Sequence, residues 1–461
     1  MKKIFVFLFI FSFCKSIFSQ QHSQFFDFQE YKFEKNIEFS QNEYLIFKKN
    51  VQKNIEILAK KDVFKNFFTK TSVKFRLPLR EKSGIQNYGF YSISAYFDHD
   101  TLYPNSLKDF NCQQFTYDTQ DGYNHAGTDF FTFPFPWNKM ENDEVEVIAA
   151  ANGIIVYKQD GNRDKNCEAG IDIPFWNVIV LQHSDGTLTY YGHLKKNSVT
   201  QNNVGEMVSA GDYLGVVGSS GSSSTPHLHF EVNNEKNEPI DPFSGECGDS
   251  VSLWETQKPY VDAGINQITT NFAYINFQEC PNSDILNLRD TFSLSDTIFF
   301  SIFFRNISLN DTVSIKMISP SQTLWDSWVW NCPYPFFAGS YLQFWAKLFS
   351  SDVGGNWKIE ANYKGKTYEK AFFVQKSSEI SQNLPQNIEI GPNPASEILT
   401  VKNVEAKNLR VKLISLQGIC VFERYFSEKN IEISLKNFAR GIYFLQICSE
   451  KDFQNYKIFV K

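Results

Sequence analysis

Histidine is scarce in this chain, with seven residues in 461, and methionine is scarcer at four. No H-E-x-x-H pair occurs, so a metal helix with a glutamate base has no carrier. No C-x-x-C pair occurs either, which argues against a thiolate metal site. Positive charge is not in excess. Lys and Arg number 45 against 51 Asp and Glu, and the net charge of -6 offers no basic surface for nucleic acid. Past the first twenty residues no uncharged run reaches membrane-spanning length, so the mature chain is expected to have no transmembrane segment.

What is present describes a large exported globular protein. Hydrophobic residues make up 42% and charged residues 21%, enough to build sizeable cores. The length suits about three domains. Phe alone counts 46, which reads as core filling. At the start, Lys2 and Lys3 precede the apolar run from Ile4 to Phe13, followed by Ser16 and Ser19. This is the pattern of a signal peptide over residues 1–19, with Gln20 left as the new N-terminus. Cys14 follows the bulky Phe13, which disfavours a lipidation site. Seven cysteines then remain, and export permits disulfides. Proximity in sequence suggests Cys280 with Cys332 and Cys420 with Cys448, and the odd count leaves one thiol over.

The patterning divides the chain. Residues 20–72 read as a short helical segment or pro-region, with apolar spacing at Leu45, Ile46, Val51, Ile55, Leu58 and Val63 and no evident chemistry. Residues 73–250 switch to short β runs: Val147 to Tyr157, Asn177 to Gln182, Leu188 to Tyr191, Tyr213 to Val217 and His229 to Val232. Asp185-Gly186 between two of them signals a hairpin. Residues 260–375 alternate as an immunoglobulin-like sandwich does. Residues 376–387 form a Ser/Gln/Asn-rich linker, and 388–461 are again short strands. The fold class expected is mainly β. An antiparallel sheet domain leads, followed by an immunoglobulin-like β-sandwich and a small C-terminal β-sandwich.

Chemistry concentrates in the first β region. His125 and Asp129 stand four apart in H-A-G-T-D, across Gly127, where a missing side chain permits a tight turn. His193 sits in Y-Y-G-H-L, and His227 and His229 in P-H-L-H-F-E. Residues two apart on a strand share a face, so His227 and His229 point together while Leu228 and Phe230 pack behind. One can hold a metal while the other stands beside a water. Zinc in a catalytic site takes three protein ligands and leaves a fourth place open. An isolated histidine is usually structural, and His22, His99 and His183 read so. Asp98, His99 and Asp100 read as a solvated acidic loop. Tyr123, Tyr190 and Tyr191 serve packing at least as readily as a cleft. The Ser/Gly run 218–225 is either a cleft wall or a turn.

These segments resemble the lysostaphin/LytM-type zinc metallopeptidases. The resemblance rests on H-A-G-T-D, Y-G-H-L and H-L-H in that order, with V-I-V-L-Q-H-S-D-G and G-D-Y-L-G-V-V-G-S-S-G between them. It covers residues 73 to 245. It implies His125, Asp129 and His229 as ligands of one zinc ion, and His193 and His227 as catalytic groups. One would assist water deprotonation and the other would steady the oxyanion or protonate the leaving amine. It implies hydrolysis of peptide bonds, peptidoglycan cross-links foremost. Two alternatives stand beside this, a secreted protease acting on host or nutrient proteins and a non-catalytic cell-wall-binding activator.

The C-terminal stretch resembles the sorting domain of the type IX secretion system. The pieces are G-P-N-P-A-S-E-I-L-T-V, L-I-S-L-Q-G, F-A-R-G-I-Y-F-L-Q-I and the final K-I-F-V-K. That resemblance implies a partner in the type IX machinery. It also implies passage through the periplasm and across the outer membrane, to the cell surface or the medium.

Overall fold

A computed structural model describes residues 23–30, 41–85, 87–165, 167, 175–280, 282–294, 296–333, 337–347, 354–375, 388–402, 409–415, 420–448 and 453–461. The signal-peptide reading at 1–19 and the linker reading at 376–387 lie outside the described residues. The chain forms two compact units, the first ending at Val374 and the second spanning Gln375–Lys461.

The first unit is organised around an antiparallel sheet. Its strands run in the order Tyr91–Ala95, Thr128–Thr132, His227–Asn233, Leu188–Gly192, Val178–Gln182, Gly153–Gln159 and Met207–Val208, with Pro239–Ile240 also paired to His227–Asn233. The two faces are both buried, as strict alternation shows. Ile179 and Leu181 belong to one apolar cluster, together with Tyr191, Leu228, Phe230 and Val232. Val178 and Val180 belong to another, with Leu188 and Tyr190. A smaller sheet of Leu79–Glu81, Val145–Ile148 and Tyr213–Val216 contributes to the first cluster. The run from Val147 to Tyr157, expected as one strand, is two, because the chain turns between Ile148 and Gly153 and each half joins a different sheet.

The second face is closed by the helix Gln41–Lys60. Its buried residues are Tyr44, Phe47, Lys48, Val51 and Leu58, one stripe at helical spacing. Phe47 meets the rings of Tyr157, Trp176 and Tyr190 edge-on. Burial of Phe47, Val51 and Leu58 contributes roughly 1.5–3 kcal/mol each before the entropy of ordering is subtracted. Two expectations for this segment need correcting. Leu45 and Ile46 are about half exposed, because the docking face is set by the aromatic pair one step round the helix. The segment is also not wholly helical: Ser23–Glu30 is a strand, antiparallel to Phe337–Lys347.

That strand extends one sheet of a sandwich, in the order Ser23–Glu30, Phe337–Lys347, Thr297–Ile307 and Gly264–Asn271. The facing sheet has five strands, from Thr291–Ser293 to Leu324–Asn331. Phe300, Ile302, Phe304, Val313, Ile315 and Trp357 fill the space between the sheets. Phe131, Phe133 and Phe135 pack with Ile275 and Phe303, so the two sheet systems share apolar contacts. The second unit has sheets of three and four strands around Leu399, Val411, Leu413, Ile433 and Leu445.

The disulfide pairing differs from the expectation. Cys112 is joined to Cys247 and Cys167 to Cys280, with Cα separations of 5.2 and 5.6 Å. Folding brings together residues 135 and 113 positions apart, a proximity that sequence distance does not reveal. Cys280 is therefore taken, and Cys332 is buried in the sandwich core. Cys420 is a free thiol. The strand Leu409–Ser415 lies between Cys420–Phe426 and Gly441–Cys448. Two strand spacings are about 9–10 Å, beyond the reach of a disulfide.

His183 illustrates a structural histidine. It is fully buried beside the Asp185-Gly186 turn, with Nδ1 2.8 Å from the Asn152 carbonyl and Nε2 2.8 Å from Thr189 Oγ1. Burial lowers its pKa to about 4. A histidine whose folded pKa lies below the unfolded value, about 6.5, contributes stability above pH 6.5 that is lost as pH falls toward 4. Urea titrations of the metal-free protein should show unfolding free energy declining across that window. His183→Gln should flatten the decline by up to about 3 kcal/mol. An unchanged slope would refute the assignment.

Candidate metal centre

The strand register assembles the site. Asp129 pairs with His229 and Phe131 with His227, while Gly192 lies opposite His229 on the other side. His193 follows as the strand Leu188–Gly192 ends, and it adopts a left-handed φ of 59°. That conformation costs a non-glycine residue about 1–3 kcal/mol and tends to persist where a site requires it. His125 precedes the strand Thr128–Thr132. All five side chains are at most 1% exposed and lie on the helix-covered face, opposite Leu228 and Phe230.

His125 Nε2 lies 3.1 Å from Asp129 Oδ1 and 3.3 Å from His229 Nδ1, and His229 Nδ1 lies 3.0 Å from Asp129 Oδ1. This is the one group of three potential metal ligands among the described residues. Its surroundings orient each donor. His125 Nδ1 is 2.6 Å from the Tyr96 carbonyl, so Nδ1 donates and Nε2 turns its lone pair inward. Tyr117 stacks on His125 at 4.3 Å, and its hydroxyl donates to Asp129 Oδ2 at 3.3 Å, leaving Oδ1 toward the histidines. His229 Nε2 faces Glu231 Oε2 at 3.7 Å, beyond a hydrogen bond, where the negative charge favours the N–H at Nε2 and the lone pair at Nδ1.

Three electron-pair donors this close repel one another unless positive charge sits among them. Tetrahedral zinc with bonds of about 2.0–2.1 Å would separate its ligands by about 3.3–3.4 Å, close to the spacing seen. Two imidazoles and a carboxylate are also a common catalytic zinc set. The residues present therefore fit a divalent ion. Burial works against the Asp129 carboxylate. In the metal-free site, where a proton stands between the donors in place of the ion, the charges of His125 and His227, with hydrogen bonds from His125 and His229, hold its pKa well below the carboxylate range.

The remaining pair sits beside this cluster. His227 Nε2 is 3.8 Å from Asp129 Oδ1, and the His193 and His227 rings are 4.6 Å apart. The Ser/Gly loop anchors both rings. His193 Nδ1 is 2.7 Å from the Ser220 carbonyl, and His227 Nδ1 is 2.8 Å from the Thr225 carbonyl and 3.3 Å from Ser223 Oγ. Donation at Nδ1 leaves Nε2 as the proton-accepting nitrogen in each. The loop 218–225 is thus a support for catalytic-type histidines.

Other residues fall elsewhere. His99 bonds to the buried Asp241 at 2.8 Å, and Asp98 accepts the backbone N–H groups of Asp100 and Lys108, so this loop braces itself. Tyr123, Tyr190 and Tyr191 are buried packing residues. Tyr117, Trp176, Glu231, Tyr44 and Lys48 were not singled out from sequence. Glu231 had a signal, since it stands two residues past His229 on the same strand face. Tyr117 and Lys48 had none.

Gly127 serves a different purpose from the one expected. Its φ is not left-handed; what it supplies is room. A Cβ there would lie 2.7 Å from the Phe230 carbonyl and 2.9 Å from His229 Nε2. Gly127→Ala should therefore push His229 out of line and weaken metal binding about tenfold or more, as read by competition with a chelator. Wild-type affinity in that variant would remove the steric argument.

Residues 124–242 match the model of peptidase family M23. The chain carries an M23 peptidase domain. Residues 389–461 match the secretion system C-terminal sorting domain, which marks the chain for export across the outer membrane to the cell surface or beyond. Among curated relatives, the cell division protein DipM of Caulobacter vibrioides is 33% identical over 102 residues, 21% of this chain and 14% of DipM. The DD-carboxypeptidase/endopeptidase Mpg of Neisseria meningitidis is 34% identical over 98 residues, 21% of this chain and 19% of Mpg. The glycyl-glycine endopeptidase ALE-1 of Staphylococcus capitis is 35% identical over 136 residues, 28% of this chain and 31% of ALE-1. The chain spans less than a third of the length of each. The M23 match itself holds all five site residues. No helix among the described residues is long and apolar enough to cross a membrane.

Proposed function

We propose that the chain is an exported zinc metalloendopeptidase that hydrolyses peptide cross-links of peptidoglycan. The observation that carries this reading is the convergence of His125 Nε2, Asp129 Oδ1 and His229 Nδ1 within 3.0–3.3 Å, with two further imidazoles alongside. The endopeptidase names of these relatives support the reaction class. Residues 73–250 act as the catalytic domain, 260–375 as a spacer and 388–461 as the sorting domain.

Zinc held by this triad would supply a Lewis acid and a water acidified from about 15.7 toward 7. The protein supplies the rest. Asp129 contributes the one negative charge among the three donors. Tyr96 and Tyr117 hold His125 and Asp129 in their binding orientations. One of His193 and His227 takes a proton from the attacking water at Nε2, and the other, protonated at Nε2, steadies the developing oxyanion or gives that proton to the leaving amine. The two carbonyls behind them keep both rings in the required tautomer.

The test is digestion of purified peptidoglycan by the mature protein, with the fragments weighed by mass spectrometry. New amino termini within the cross-links, lost on adding a chelator, are expected. Cleavage of casein with intact peptidoglycan would instead identify a protease of proteins. Cleavage of neither would refute the enzymatic reading.

A further inference from the structure

The N-terminal helix reaches the metal centre, and nothing in the M23 match, which begins at residue 124, includes it. Lys48 Nζ lies 2.9 Å from Glu231 Oε1, and Tyr44 Oη donates to the same oxygen at 2.7 Å. The other Glu231 oxygen faces His229 Nε2 at 3.7 Å. Glu231 is fully buried, and Tyr44 and Lys48 are each less than a tenth exposed. The lysine is further enclosed by the ring of Tyr190, 4.7 Å from its nitrogen, and its backbone carbonyl accepts from Asn237.

A buried carboxylate is costly unless paired, so its presence beside a ligand histidine calls for a physical account. One oxygen is saturated from the helix by an ammonium and a phenol. The second is thereby turned toward His229. A carboxylate opposite the non-binding nitrogen of a ligand histidine fixes the tautomer and makes the other nitrogen a stronger donor. We infer that Lys48 and Tyr44 are positioning residues of the metal centre. Acting through Glu231, they hold His229 with Nδ1 toward the ion, so that the M23 domain binds metal fully only with the helix Gln41–Lys60 docked. This inference rests on the metal-binding reading of His125, Asp129 and His229.

The experiment uses the mature full-length chain in four forms: wild type, Y44F, E231Q and the double variant K48M/E231Q. K48M alone would strand a buried carboxylate and can fail to fold, whereas the double variant removes both charges together. Circular dichroism and thermal melting of the metal-free proteins establish folding. Zinc affinity is then measured by chelator competition, and the visible absorption of the cobalt-loaded proteins reports the ligand geometry. Folded E231Q and K48M/E231Q should bind zinc 10- to 100-fold more weakly, with a displaced cobalt band. Y44F should fall between them and wild type. Variants that bind zinc within threefold of wild type, with the same cobalt spectrum, would overturn the positioning role while the triad stands. A wild-type chain that binds no stoichiometric metal would overturn the triad itself, and this inference with it.

Discussion

Asp129→Ala should leave the protein folded, unable to retain a stoichiometric divalent ion, and at least about a thousandfold less active on peptidoglycan. The side chain is 1% exposed and touches His125, His229 and the Tyr117 hydroxyl. It is the one anionic member of the proposed ligand triad, so its loss would leave two neutral imidazoles, a far weaker site for a divalent cation. Folding should survive because the substitution removes a buried charge and strands no opposite charge of a lysine or arginine. Metal content by mass spectrometry and hydrolysis of labelled peptidoglycan provide the two readings. Retention of a tenth of wild-type activity at full folding would contradict the ligand role.

His193→Ala and His227→Ala should separate binding from chemistry. Each ring is anchored at Nδ1 by a loop carbonyl and stands next to the triad without belonging to its closest set. Removing a general acid or base, or a donor to a developing oxyanion, typically costs about 10²- to 10⁴-fold in kcat. Metal content and KM should change little. If the effect falls instead on metal content, these histidines are ligands and the division of roles is wrong. The left-handed backbone of His193 gives a second check. His193→Gly should relieve backbone strain, so stability should hold while activity is still lost.

The outcome of these variants bears on how the site could be read at all. The spacing H-L-H placed two imidazoles on one strand face, since the two-residue repeat of a strand needs no tertiary information. The same alternation set Leu228 and Phe230 into the core, where both are fully buried. The hairpin at Asp185-Gly186 was legible because its turn chemistry is local; Gly186 has φ 91°. The helix was legible in its presence but not in where it ends or in its docking face, since the apolar spacing runs on to Val63 while the helix stops at Lys60. Leu45 and Ile46 suggest one stripe by hydrophobicity, while Tyr44, Phe47 and a lysine form the stripe that docks. A lysine turned inward is unreadable from sequence, because its burial depends on a carboxylate 183 residues away.

The disulfides failed for the same reason. Cys112 meets Cys247 through loops 135 residues apart that only the folded chain brings together. Sequence proximity favoured Cys420 with Cys448, but strand order put another strand between their strands.

The amino-acid sequence alone singled out the five side chains of the proposed site and put the H-L-H pair on one strand face, because strand periodicity and motif order are properties of short segments. The tertiary fold decided how those groups meet. It brought Asp129 opposite His229, turned Glu231 toward His229, and covered that face of the sheet with a helix from the N-terminal side. These are long-range pairings, set by sheet register and by the burial of opposite charges together, and no local pattern encodes them.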